Sequence, residues 1–264
     1  MDTSRAEMPK SERRAGTGTV RAVSRAFAVL RAFTAEQPDL GLAEVTAAAG
    51  LDKATTRRLL VTLIEEGLVR QNRLSQRYAL TFGILPLAAA VHTGGLREEA
   101  RPVMAGLARE SGVTVFISIP DQTGALCLER IHGSDPVHVR WWGVGRHMPW
   151  NCGAAPRLLL AHMPPDRAAS LLGHAVPLTV HSPMNIPAIL ARLPAIRTSG
   201  FEVAIDDVAV GLSAVAVPVR DRAGEVIAAL SLGGLTHLVL DASGAPRALD
   251  RLTSAAAEIA SALA

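Results

Sequence analysis

The segment from Leu40 to Leu80 carries the pattern that most restricts how this chain folds. It begins with a short apolar-periodic helix, Leu42 to Ala49, followed by the tight turn Gly50-Leu51. Asp52 then stands where a helix N-cap is needed, because its carboxylate can accept hydrogen bonds from the free amides of the next turn. Beyond it, apolar residues recur at helical spacing and are expected to face a core: Leu59, Leu60, Leu63 and Ile64.

A basic hairpin follows this pair of helices. Two short strand-like runs, Leu68–Gln71 and Arg77–Leu80, flank a polar turn. Taken alone, a capped amphipathic helix with a few arginines is more often a solvated surface than a DNA reader. A short helix, a glycine turn into a second helix and a basic hairpin together predict a winged helix-turn-helix.

The winged helix-turn-helix predicts which side chains meet DNA. The first turns of a recognition helix present side chains to base edges and phosphates in the major groove; here these are Lys53, Thr55, Arg57 and Arg58. Arginines of the wing contact phosphates, which positions the protein without specifying sequence; here these are Arg70, Arg73 and Arg77.

The distribution of charge supports this interpretation. Residues 1–82 contain thirteen Arg or Lys and nine Asp or Glu, whereas the rest of the chain contains fourteen and fifteen. The positive excess therefore lies with the predicted DNA module, as phosphate binding requires. The first nineteen residues are polar and lack the apolar core of a signal peptide, and no run is long and apolar enough to span a membrane. The chain is expected to be cytoplasmic.

The pattern of predicted secondary structure changes after about residue 95. Helical patterns cover residues 96–110, 151–163, 185–199 and 245–264, and a further helix is predicted at 20–35. Strand-like runs cover residues 113–120, 125–131, 137–142, 200–206, 212–220 and 225–233. Hairpins that alternate with helices indicate an α+β domain with a mainly antiparallel sheet.

These patterns predict four parts of the chain. Residues 1–19 form a flexible basic arm, 20–82 the winged helix-turn-helix DNA-binding domain, 83–95 a linker helix and 96–264 the α+β domain. The linker region is apolar and is interrupted by Pro86. It would be poorly buried in a monomer, so we expect it to pack against a second copy of the chain and to act as a hinge.

Enzymatic motifs are absent from the sequence. There is no complete dinucleotide fingerprint, P-loop, GxSxG elbow or HExxH motif, and the histidines lack the spacing of metal ligands. The two cysteines, Cys127 and Cys152, form no CxxC pair. We therefore predict no catalytic residues, no metal and no cofactor. An alternative is an acyl or amide hydrolase that carries a DNA-binding module and uses Cys152 as nucleophile and His147 as base.

Residues 138–157, HVRWWGVGRHMPWNCGAAPR, contain all three tryptophans of the chain. They fill the core beneath the sheet, or else Trp141, Trp142 or Trp150 supplies the apolar wall of a ligand pocket. Unpaired amides around Cys152–Ala155, at the start of a helix, would favour a carboxylate. Asp206 and Asp207 are interpreted as solvated turn residues or as acceptors for a ligand hydroxyl or amine.

Two segments carry a resemblance to a known family. The first comprises VRAVSRAFAVLRAF, LAEVTAAAGLDKATTRRLLVTLIEEGLV and RYALTFGILPLA, and the second is GFEVAIDDVAVGLSAVAVPVRDRAGEVIAALSLGG. In this order and at this separation they resemble the isocitrate lyase regulator (IclR) family of bacterial transcription factors, from about Val20 to the end. The chain departs from the usual pattern at Ala54, Thr56, Ala204, Asp207 and Arg220.

The resemblance implies an N-terminal winged helix-turn-helix, with Thr56 among its DNA-binding positions, and a GAF-like α/β effector domain. It implies homodimers or dimers of dimers that bind operator DNA and repress or activate transcription. When a small metabolite binds, such a protein changes its affinity for the operator or its contacts at the promoter, including those with RNA polymerase. The family's pocket positions correspond here to Met148, Ala154, Ala155, Leu212 and Ser231.

Three further pocket positions, Ala204, Ala214 and Gly233, lack the polar side chains often seen in the family. Together with the nearby tryptophans, this favours a larger organic or aromatic acid over a small oxo-acid. A third hypothesis, a structural DNA binder without a ligand, is disfavoured by the tryptophan-rich segment.

Overall fold

The computed structural model describes residues 20–34, 37–90, 95–135, 142–173 and 175–263. The chain divides into two compact units, Met1–His92 and Thr93–Ala264. The predicted arm at 1–19 lies outside the described residues, as do Trp141 and most of the strand predicted at 137–142. Within the described residues, no helix combines the length and apolar character needed to cross a bilayer.

The first unit is a winged helix-turn-helix, which confirms the prediction for this part of the chain. Its three short strands form an antiparallel sheet in the order β1-β3-β2. The elements are α1 (Arg21–Arg31), β1 (Asp39–Leu40), α2 (Leu42–Ala49), α3 (Lys53–Glu65), β2 (Val69–Gln71), β3 (Tyr78–Leu80), a 3₁₀ turn (Phe82–Ile84) and α4 (Leu85–Ala89). Helix α1 ends four residues earlier than the predicted helix, and the two-residue strand β1 was not predicted.

The turn between α2 and α3 forms as its residues dictate. Gly50 ends α2 with a φ of 63°, a left-handed conformation that glycine adopts without steric cost. Asp52 caps α3, since its carboxylate accepts a hydrogen bond from the backbone N–H of Thr55 at 2.8 Å. That hydrogen bond lowers the pKa of Asp52. Leu60 and Leu63 are buried as predicted, whereas Leu59 is half-buried and Ile64 is exposed, so the buried stripe of α3 is narrower than predicted.

The second unit contains a six-stranded antiparallel sheet in the order β6-β5-β4-β9-β8-β7, which confirms the predicted sheet type. The strands are β4 (Thr114–Pro120), β5 (Ala125–Ile131), β6 (His147–Met148), β7 (Glu202–Ile205), β8 (Leu212–Arg220) and β9 (Val226–Leu235). The helices are α5 (Leu96–Ser111), α6 (Ala154–Ala161), α7 (Pro165–Leu172), α8 (Ile186–Ser199), α9 (Thr236–Val239) and α10 (Leu249–Ala262). Helix α7 was not predicted, and α10 begins four residues later than its predicted helix.

Both faces of this sheet are covered, and strand β4 shows why. Val115 and Ile117 belong to the apolar cluster that contains residues of α5 and α10, whereas Phe116 belongs to the cluster that contains residues of α6 and α8. Successive side chains of a strand point to opposite faces of the sheet. Apolar residues at consecutive positions therefore supply two cores, and the cavity described below lies on the α6 side.

Candidate nucleic-acid interface and small-molecule cavity

The beginning of α3 presents basic side chains to solvent. Lys53, Arg57 and Arg58 are exposed and Thr55 is half-buried. Within the part of the chain that the structure describes, none of the three basic residues forms an ion pair. They are therefore available to an anionic partner such as a phosphate or a guanine edge.

Thr56 does not belong to this exposed set, and its assignment to the DNA contact was wrong. Its side chain is fully buried, and its hydroxyl donates to the carbonyl of Asp52 at 2.9 Å. The residue lies on the same helical stripe as Leu60 and Leu63, which pack into the core. The family resemblance placed Thr56 among the DNA-binding residues, but its position on α3 directs the side chain into the core.

The three arginines of the wing differ in their surroundings. Arg70 and Arg73 are exposed. Arg77 instead bonds to Asp39 and, at 3.0 Å, to Glu44. It thereby ties β3 to β1 and α2, and the hydrogen bond to Asp39 raises the pKa of the guanidinium. A phosphate-contacting role for Arg77, as predicted from the sequence, would have to compete with these two carboxylates.

A cavity opens between the sheet and the start of α6 in the second unit. Its volume for water-sized molecules is about 40 Å³. Phe116 and Trp142 form one wall as a stacked pair, with ring centroids 4.7 Å apart. Small residues elsewhere on the lining leave the space empty; at Gly233, for example, a Cβ would come within 3.3 Å of the Phe116 ring.

The structure brings most of the predicted pocket residues to this cavity. Its lining includes Trp142, Met148, Ala154, Ala155, Leu212 and Ser231, together with Ala204, Ala214 and Gly233. Trp150 and Cys152 do not line it; both are buried in the apolar cluster around it. Trp142 therefore lines the cavity and Trp150 lies in the core, while the role of Trp142 in binding a ligand stays a prediction.

A buried ion-pair network closes the polar end of the cavity. Asp207 lines the cavity, and one of its oxygens, Oδ2, accepts hydrogen bonds from the Arg157 guanidinium and from the Gly153 N–H, the latter at 3.1 Å. Arg157 also donates to Glu202 Oε1 at 2.7 Å and to the Asn151 carbonyl at 3.0 Å. Burial opposes the charged form of Arg157, but the Asp207 and Glu202 carboxylates outweigh it and raise the pKa of the guanidinium.

Sequence reasoning missed this network. The interpretation of Asp207 as a solvated turn residue is wrong, because the side chain is buried and ion-paired with Arg157, whereas its role as an acceptor for a ligand stays a prediction. Asp206 is the turn residue, with a φ of 60° and a carboxylate that accepts from the Gly211 N–H. Arg157 was not singled out at all. The available signal was an arginine within the otherwise apolar helix AAPRLLLA, because a charge on a fully buried helix requires a buried partner.

Fewer backbone amides at the start of α6 are available to bind an anion than the sequence suggested. The N–H of Cys152 donates to the Pro149 carbonyl at 3.1 Å, and the N–H of Gly153 donates to Asp207. Ala154 and Ala155 remain, since the first amides of a helix precede the intrahelical hydrogen bonds. The chain thus places a carboxylate of its own where the sequence suggested the carboxylate of a ligand.

The nucleophile–base hypothesis finds no support in the geometry. Cys152 is fully buried, its thiol donates to the Val176 carbonyl at 3.4 Å, and burial raises its pKa, which disfavours the reactive thiolate. His147 Nε2 instead contacts Asp121. The described residues also include no group of three or more His, Cys, Asp or Glu side chains placed to hold a metal ion.

Comparison with known proteins adds independent findings. Residues 22–73 match the sequence profile of the IclR helix-turn-helix domain, and residues 88–261 match that of the bacterial transcriptional regulator IclR C-terminal domain. The HTH-type transcriptional regulator Rv1719 of Mycobacterium tuberculosis is 30% identical over 223 residues, covering 84% of this chain and 85% of that protein. The HTH-type transcriptional regulator XynR of Escherichia coli K12 is 28% identical over 227 residues, covering 84% and 89%.

A solved structure shares the fold. The crystal structure of an IclR homolog complexed with 4-hydroxybenzoate, from Microbacterium hydrocarbonoxydans, has a TM-score of 0.78 and 21% sequence identity, covering 92% of this chain and 98% of that one. At this level of identity the similarity establishes the architecture of the chain.

Proposed function

The chain belongs to the IclR family of bacterial transcriptional regulators, and from this premise we propose how its parts carry out regulation. It is a DNA-binding transcriptional regulator with a C-terminal effector domain, and its relatives are named as regulators rather than as enzymes. In our proposal, α3 reads the operator, the cavity beside α6 holds the effector, and the protein works in the cytoplasm, where its operator lies. We retain the boundaries 20–82, 83–95 and 96–264 for the three working parts.

The observation that carries the DNA assignment is the exposed, unpaired basic surface at the start of α3. Arg57 and Arg58 are the best candidates for bidentate contact with guanine, and Lys53 and Thr55 flank them. Arg70 and Arg73 of the wing contact phosphate. Arg77 supports the wing through Asp39 and Glu44, a revision of its predicted phosphate contact.

We further propose that two copies bind a near-palindromic operator, as a homodimer or a dimer of dimers. Large apolar side chains are exposed on the first unit, among them Phe82, which is 87% exposed, with Phe27, Leu85 and Leu87. A second copy would cover such side chains. Promoter contacts with RNA polymerase would then depend on how the paired DNA-binding domains are arranged, with the linker segment as the hinge.

For the effector we propose an organic acid with a flat, partly apolar body, such as an aromatic acid. The stacked Phe116 and Trp142 offer a surface for such a body, and the similar structure from Microbacterium hydrocarbonoxydans contains 4-hydroxybenzoate. Effector binding changes operator affinity only through unequal affinity for two arrangements of the DNA-binding domains, typically about 1–3 kcal/mol of coupling.

Filling the cavity should uncouple DNA binding from the effector. In Ala214→Leu, the added side chain occupies space on the lining, so we expect operator binding without effector to persist and the response to aromatic acids to disappear. The measurement is fluorescence anisotropy of labelled operator DNA titrated with benzoate and with 4-hydroxybenzoate.

The matched control is Ala223→Leu, the same substitution at an exposed position of the β8–β9 hairpin, which should respond like the wild type. A thermal unfolding curve for each variant separates loss of folding from loss of response. An Ala214→Leu protein that folds and responds fully would show that the effector binds elsewhere.

A further inference from the structure

The cavity has few polar side chains, and only one of them is charged among the residues that the structure describes. Among the described residues of the lining, Asp207 is the one with a charged side chain. The side-chain hydroxyls are those of Ser213 and Ser231, and Ser213 is already hydrogen-bonded to Thr236 at 2.9 Å. Lysine, arginine and histidine side chains are absent from the described lining. The charged side chain that a bound molecule meets is therefore a carboxylate, which is itself ion-paired with Arg157.

The two oxygens of the Asp207 carboxylate are not equivalent. Oδ2 accepts from Arg157 and from the Gly153 N–H. Oδ1 receives no hydrogen bond from any residue that the structure describes, and the Asp207 side chain, which is 5% exposed, lines the cavity. This oxygen is not fully enclosed by the protein, so solvent or a ligand in the cavity can donate a hydrogen bond to it.

Asp207 is also held firmly. The guanidinium on Oδ2 is fixed in turn by Glu202 and by the Asn151 carbonyl. On the main-chain side, the Ser182 hydroxyl donates to the Asp207 carbonyl at 2.7 Å. The acceptor Oδ1 is therefore in place before a ligand arrives, which reduces the ordering cost of binding.

We propose that Asp207 determines effector specificity by accepting a hydrogen bond from a hydroxyl or amino group of the effector. The α6 end of the cavity thus takes a donor, and Asp207 keeps the carboxylate of an acidic effector away from this end. This inference rests on the proposed role of the cavity as the effector site. It revises the expectation that the amides at the start of α6 bind the carboxylate of the ligand, because Asp207 already accepts from the Gly153 N–H and would repel a second carboxylate there.

The test compares ligands that differ in one hydrogen-bond donor. Benzoate, 4-methoxybenzoate, 4-hydroxybenzoate and 4-aminobenzoate, with the 3-substituted isomers, are titrated into the full-length protein by isothermal calorimetry. The hydroxy and amino compounds should bind about 10- to 100-fold more tightly than methoxybenzoate and benzoate, the range expected for a hydrogen bond to a charged acceptor. Equal affinity of the hydroxy and methoxy compounds, or binding of none of them, would overturn the inference.

A substitution at Asp207 tests whether this residue causes the preference for ligands that carry a hydrogen-bond donor. In Asp207→Asn the amide can donate as well as accept, so the ratio between hydroxy and methoxy compounds should collapse toward one. Asp206→Asn makes the same change at the neighbouring turn residue, which does not line the cavity, and should leave that ratio in place. If Asp207→Asn does not fold, the ligand series on the wild type still decides. Operator binding by the same preparations tests the regulator function separately, so failure of one is distinguishable from failure of the other.

Discussion

Arg157→Met is expected to lower the free energy of unfolding of the C-terminal unit by about 3–5 kcal/mol, the usual cost of removing one partner from a buried ion pair. The guanidinium is buried between Glu202 and Asp207, both of them also buried. Methionine matches much of the side-chain volume but leaves two carboxylates without their main partner. The loss is therefore electrostatic rather than a loss of packing.

Urea denaturation followed by tryptophan fluorescence measures this effect, because all three tryptophans lie in the second unit. Arg192→Met is the matched control. Arg192 bonds to the same Glu202 at 3.1 Å, but it is 64% exposed, so its removal should cost at most about 1 kcal/mol. Adding Glu202→Gln and Asp207→Asn to Arg157→Met should recover part of the lost stability. If the two arginine variants are equally stable, the buried network does not have the structural role assigned to it.

Arg57→Ala should weaken operator binding by about 1–3 kcal/mol and relax the preference at one base pair. Arg57 is exposed near the beginning of α3 and forms no ion pair within the described residues, so truncation removes little besides a DNA contact. The measurement is anisotropy with the operator and with a set of single-base variants of it.

The contrast is the double variant Arg70→Ala and Arg73→Ala in the wing. Loss of phosphate contacts should weaken binding to all of these sequences alike and reduce the salt dependence, by about one in the slope for each contact. Unchanged affinity and unchanged base preference in Arg57→Ala would remove Arg57 from the readout and shift the assignment to Arg58.

Local signals made the fold predictable. Gly50 and Asp52 mark the turn within the helix-turn-helix by their own conformational preferences, and strand β8 was predicted with its exact bounds from its apolar pattern. Helix ends were less accurate, since α10 begins at Leu249 and α1 ends at Arg31. Neither boundary has a capping signal in the sequence, since Ala248 gives α10 no side-chain cap and the C-cap of α1 is Ala32 rather than a glycine.

The polar architecture was not predictable in the same way. Arg157 pairs with Glu202 and Asp207, which lie 45 and 50 residues away, and Arg77 pairs with Asp39 across 38 residues. Periodicity carries no information about such pairs. It does determine that Thr56 faces inward, four residues before Leu60. The family resemblance identified the small residues of the cavity, and the sequence singled out Asp207 as a possible ligand acceptor, but nothing in the sequence analysis identified its buried partner Arg157.

The most direct test of the regulator assignment is binding of the purified protein to the DNA upstream of its own gene. Fluorescence anisotropy across a salt series would compare that DNA with a scrambled sequence of equal length. We expect a dissociation constant of about 10⁻⁸ M or tighter near physiological salt, with binding to the scrambled DNA weaker by about 10³-fold or more. Equal and steeply salt-dependent binding to both DNAs would contradict sequence-specific recognition of that site.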